Sequence, residues 1–84
     1  MRLVNVMEEL VIDIVADMAQ AGKMCACTRC RLDVSAIALN NLPPSYVVTA
    51  EGESIKSNMT QYRVDALRMV TRAIEVVRKM PHHR

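Results

Sequence analysis

The run Cys25-Ala26-Cys27-Thr28-Arg29-Cys30 carries the most distinctive chemistry in this 84-residue chain. Thiolates are soft donors suited to tetrahedral zinc, and the two residues between Cys27 and Cys30 let two sulfurs approach one metal at a turn into a helix. The N–H groups of a helix start, with Arg29 and Arg31 beside them, favour the deprotonated, ligating form. Three cysteines are one donor short of a structural zinc site. The fourth could come from His82 or His83, from Asp33, from a partner's cysteine or from water. Two other chemistries suit the same residues: reduced, metal-free thiols, or a redox sensor. An odd number of cysteines crowded into one short run is unlike the framework of a secreted disulfide domain.

Two Arg-x-Asp triplets, Arg31-Leu32-Asp33 and Arg63-Val64-Asp65, offer the donors and acceptor that phosphates and purine edges require. Arg can also stack on a base where Trp and Phe are missing. The same residues, close together on helices, can equally form ion pairs that only fix packing. Tyr46 and Tyr62 could stack on a ligand, or lie half-buried with their hydroxyls at the surface. Asn40 suits a helix end first and a ligand contact second. His82 and His83 follow Pro81 in a segment expected to fray. The chain has no Gly-rich phosphate loop, no internal His beside a Cys and no carboxylate pair suited to acid and base roles, so an enzyme is not expected.

The elements that must position these residues are helical. Asn5 followed by Glu8 resembles a capping box, Gly22 is a natural stop, and Met7, Leu10, Val11, Ile14, Val15 and Met18 form a stripe at helical spacing; a helix is expected over residues 5–21. Glu9, Asp13 and Asp17 lie one turn apart on its other side. Thr28 is the expected cap of a second helix over 29–41, with Leu32, Ala36, Ile37 and Leu39 on its apolar side and Leu42-Pro43-Pro44 ending it. Residues 46–49 read as a short extended segment that could pair with its own copy across a dimer axis. Residues 50–58 read as loop. A last helix, capped by Thr60, should run to Lys79 or Met80, with an apolar face from Tyr62 to Met80 too wide for one neighbour. The expected fold is one mainly α domain over residues 1–84, a compact three- to four-helix unit with one short extended segment, forming a homodimer.

Composition agrees with that reading. Hydrophobic residues make up 51% of the chain without any Phe or Trp, so the core must be built from Val, Leu, Ile, Met and Ala. So much apolar surface in so short a chain points to burial between subunits. The front of the chain is acidic and the last helix basic, so the two can face each other or a symmetry mate. No apolar stretch approaches the ~20 residues of a spanning helix, and the opening residues do not resemble an export signal, so a cytoplasmic protein without membrane association is expected.

The order Cys27-Thr28-Arg29-Cys30-Arg31-Leu32-Asp33-Val34, Ala36-Ile37-Ala38-Leu39-Asn40, Leu42-Pro43-Pro44 and Tyr46-Val47-Val48 resembles the signature of the ComFB family of late competence proteins. Gln61-Tyr62-Arg63-Val64-Asp65 is similar to the family's second signature, and Asn5 with Glu8-Glu9-Leu10 to its opening. The resemblance implies a compact helical dimer. It implies zinc at Cys25, Cys27 and Cys30 in some members, and in others a receptor for cyclic di-GMP or cyclic di-AMP. Carried onto this chain, the nucleotide would meet Arg31, Asp33, Asn40, Tyr46, Arg63 and Asp65, and the signal would pass to an unknown downstream protein. The competing expectation is an adaptor dimer that binds no nucleotide and uses the cysteine site only for assembly. DNA binding is not expected, because the basic residues of the last helix are interleaved with a broad apolar face.

Overall fold

The computed structural model describes residues 1–50 and 59–80; residues 51–58, which contain most of the expected loop, and residues 81–84, which contain His82 and His83, lie outside the described residues. The elements are β1 (Arg2–Asn5), α1 (Val6–Gln20), α2 (Thr28–Asn40), β2 (Tyr46–Thr49) and α3 (Met59–Arg78).

Asn5 joins the first three segments. It caps α1 in extended conformation, and its Oδ1 accepts from Met7 N at 3.2 Å. The same oxygen accepts from Ser45 N at 3.0 Å, while Val6 N donates to Ser45 O at 2.8 Å. One side chain thus starts a helix and holds the entry to β2 beside it. β1 and β2 pair antiparallel, Leu3 opposite Val48 and Val4 opposite Val47. The partner of residues 46–49 is therefore the chain's own first residues and not a second copy of the segment. A strand of four residues shows only two alternations, which is why Arg2–Asn5 gives little sign of itself in the sequence. Val4 points into the core, whereas Leu3, Val48 and Tyr46 share the outer face and are exposed.

α1 ends in a Schellman motif: Gly22 adopts φ 75°, Gly22 N donates to Ala19 O and Lys23 N reaches back to Met18 O. α2 is capped by Cys27, one residue before the expected Thr28, and Asn41 rather than Asn40 caps its far end, donating from its amide to Ile37 O at 2.8 Å. The core face of α2 is Cys30, Val34 and Ala38, one turn apart; Leu32 and Ala36 point outward, and Ile37 and Leu39 are partly buried beside the core. Thr60 lies inside α3, which starts at Met59 and ends two residues before Met80.

Ala66, Val70, Ala73, Ile74 and Val77 line the buried face of α3, which packs against both α1 and α2. α1 contributes Val6, Met7, Leu10, Val11, Ile14 and Val15 to the same core. The flanks of the wide face, Tyr62, Val64, Leu67 and Val76, remain exposed. Among the described residues no helix is long and apolar enough to cross a membrane.

Losing a helix cap costs about 0.5–2 kcal/mol, and Asn5 also holds Ser45. Asn5→Ala is expected to lower stability by about 1–2 kcal/mol in urea unfolding, whereas Asn5→Asp, which keeps the acceptor oxygen at a helix N-terminus, retains most of it. Equal losses in the two variants would contradict the dual role of that oxygen.

Candidate metal centre

The link from α1 to α2 is short and well defined at both ends. The Schellman turn closes at Lys23, Met24 packs against the core, and the chain crosses through Cys25 and Ala26 to the cap residue Cys27. Cys27 Sγ accepts from Cys30 N at 3.4 Å, the bond by which a cap side chain satisfies a free helical donor. Cys30 is buried among core residues, while Cys25 and Cys27 are exposed. The three sulfurs lie within 4.8 Å of one another. Tetrahedral zinc with Zn–S bonds of about 2.3 Å sets its sulfurs about 3.8 Å apart, so a small contraction converts the cluster to a ligand set. The donors fit a thiophilic ion: three sulfurs converge, one anchored in the core and two open to solvent. Among the described residues no carboxylate or histidine joins them. Asp33, one of the expected fourth donors, instead lies 3.6 Å from the Arg29 guanidinium.

The environment separates the thiols. The Cys30 N–H aimed at its sulfur lowers Cys27 below the ordinary thiol value, with smaller help from the thiols of Cys25 and Cys30 and the Arg29 backbone, while desolvation opposes the shift. Cys30 is pushed up to about 12, first by burial and then by its hydrogen bonding and charge interaction with the other two cysteines. A bound cation reverses that cost, since a coordinating thiol is deprotonated outright. Beside the cluster lies an apolar cavity of about 200 Å³, walled by Met24, Cys25, Cys30, Val34, Ile74 and Val77, with Arg78 and Met80 at α3's end. The sequence reading missed Met24, Arg78 and Met80; they meet only when α3 packs on α2.

The match to the late competence development protein ComFB family model runs over residues 4–81, from β1 to just past α3. The chain belongs to the ComFB family. No curated protein and no solved structure matches it.

In this ComFB chain the residues expected to contact a nucleotide are dispersed. Arg31 lines a shallow groove with Ile12, Thr28, Leu32 and Ser35 between α1 and α2. Asp33 sits by Arg29, and Asn40 is exposed on the last turn of α2. Tyr46 is exposed on the sheet. Arg63 lies 3.8 Å from Asp17, joining the basic last helix to the acidic first one. Asp65 accepts from Gln61 and borders a third depression with Tyr62, Pro43 and Pro44. Among the described residues, Arg31, Arg63 and Asp65 line three separate depressions.

Exposure and acidity both order the reactivity of the thiols. In the reduced, metal-free protein, iodoacetamide is expected to modify Cys25 and Cys27 well before Cys30. The Cys27 rate should level off at a lower pH than that of a free thiol, and Cys30 should stay slow through pH 9. Mass spectrometry of timed digests reads the order, and early modification of Cys30 in folded protein would contradict the buried assignment.

Proposed function

We propose that this ComFB protein is a non-catalytic cytoplasmic adaptor in which Cys25, Cys27 and Cys30 hold a structural zinc ion and which works as a homodimer. The convergence of the three sulfurs at the start of α2 carries the reading. Bound there, zinc would supply a crosslink between the α1–α2 link and the first turn of α2, and through the buried Cys30 to the core. Cys27 and Cys30 span the helix start and Cys25 fastens the link. The exposed outer face of the sheet and the exposed flanks of α3 give apolar surface for a second copy and for a downstream protein.

A receptor for a cyclic dinucleotide is the second reading, and Arg31 is the observation that favours it. Its guanidinium makes no ion pair among the described residues and lies on the groove between α1 and α2, where phosphate could reach it. Among the described residues, the depressions lined by Arg31, Arg63 and Asp65 measure 260–280 Å³, below the roughly 300 Å³ at which small-molecule sites begin, and a site shared by two chains would enlarge them.

One preparation tests both. Protein purified without added metal is expected to carry close to one zinc per chain and to scatter light as twice the 9.4 kDa chain mass, and Cys30→Ser is expected to lose the metal. Zinc-free wild type with three freely titrating thiols would contradict the metal assignment, and a monomer at micromolar concentration would contradict the dimer. Calorimetric titration with cyclic di-GMP and cyclic di-AMP then separates the readings: the adaptor shows no heat of binding, whereas a receptor shows binding that Arg31→Ala weakens and Arg78→Ala does not.

A further inference from the structure

We infer that Cys27 and Cys30 form a peroxide-oxidised pair that closes a disulfide across the first turn of α2, with Cys27 as the attacking sulfur and Cys30 as the resolving one. This goes beyond the metal reading and does not depend on it. Oxidant-sensing cysteines combine a solvent-accessible sulfur with a second thiol poised beside it. The start of α2 supplies both. Cys27 is exposed at the cap, Cys30 is buried in the first turn, and their sulfurs lie within 4.8 Å of each other. The bond from Cys30 N to Cys27 Sγ, 3.4 Å long, holds the exposed sulfur over the residue that resolves it. A disulfide brings its sulfurs to about 2.05 Å, so the side chains must turn toward each other. Cys30 has room to do so, because it lines the 200 Å³ cavity between α2 and α3. Cys25 shares the cluster, but its pairing with Cys27 spans a single residue and closes a tighter ring, whereas Cys27 and Cys30 already share one helical turn.

The oxidant is hydrogen peroxide or an alkyl hydroperoxide. The Cys27 sulfur attacks one peroxide oxygen: the S–O bond forms, the O–O bond breaks, and the other oxygen leaves as water or alcohol with the thiol's proton, giving a sulfenic acid. The Cys30 sulfur then attacks the Cys27 sulfur. The S–S bond forms, the S–O bond breaks, and the oxygen leaves as water with the proton of Cys30. Two thiols are oxidised by two electrons in total, and the peroxide is reduced. Burial shields Cys30 from dissolved oxidant, so exposure sets the order of the two steps. The bond engages two of the three sulfurs proposed to hold the metal, so oxidation and metal binding exclude each other at this site.

The reduced full chain, treated with a chelator and shown by circular dichroism to be folded, is exposed to hydrogen peroxide and digested with trypsin without reductant. Cleavage after Lys23, Arg29 and Arg31 leaves Cys25 and Cys27 in residues 24–29 and Cys30 in residues 30–31. The wild type is expected to yield these two peptides joined by a disulfide, with the free thiols falling from three to one. Cys25→Ser is expected to keep the crosslink and Cys27→Ser to lose it. The double variant Cys25→Ser, Cys30→Ser leaves the attacking sulfur alone and is expected to trap dimedone at Cys27. A bond internal to residues 24–29, a crosslink that survives Cys27→Ser, a bond between two chains on non-reducing electrophoresis, or three thiols that persist in peroxide would each overturn the inference. None of these outcomes touches the metal reading, and a chain that binds no zinc would overturn that reading alone.

Discussion

The geometry of the cysteine cluster depends on one packing contact, the burial of Cys30 in the core that α2 shares with α3. Val34 and Ala38 follow it at one-turn intervals along the same face, so the first turn of α2 is seated by the whole helix. Cys27 is then fixed by the Cys30 N–H that it accepts, and Cys25 is kept close by the few residues between the Schellman turn and the cap. Two exposed thiols thereby inherit their positions from a buried one. A donor set arranged before the ion arrives loses less freedom on binding than one arranged by it.

The core that supplies this anchor combines Met7, Leu10, Ile14 and Ile74 with smaller side chains. Val11, Val15, Val34 and Val70 are fully buried, and Ala38, Ala66 and Ala73 are buried where helices meet. Small contacts let α3 lie close to both α1 and α2, but a chain of this length has little apolar area to spare, and small domains commonly gain stability from a metal or from assembly. The two fit this chain in different places. A metal held at Cys25, Cys27 and Cys30, as proposed, would fasten the α1–α2 link to the core. In the proposed dimer a second copy would cover apolar side chains that the core leaves exposed, among them Leu3, Val48, Val64 and Leu67.

Much of the architecture was legible in the residues. The stripe of α1, its Asn5 cap and Gly22 stop, the Pro-Pro end of α2 and the broad face of α3 all found their places, because each is a local signal repeated over several turns. The errors fell where the signal was tertiary or short. β1 is too brief for its alternation to stand out, and its pairing with β2 depends on Asn5 reaching Ser45, forty residues on. The core face of α2 was read from its large side chains, whereas the fold buries Cys30, Val34 and Ala38 and leaves Leu32 outside. Thr28 was the better cap by residue type, but Cys27 holds the position because its sulfur faces the free N–H of Cys30. At the site itself, the spacing of the cysteines foretold their convergence, while the cavity beside them needed the end of α3, nearly fifty residues away in sequence.

Titrating the reduced, metal-free protein with cobalt(II) tests most directly the proposal that three thiolates of one chain hold one tetrahedral metal ion. Intense thiolate-to-cobalt charge-transfer bands with strong tetrahedral visible absorption, saturating at a single equivalent per chain and bleaching when zinc is added, are expected. A weak octahedral spectrum that never saturates would contradict it.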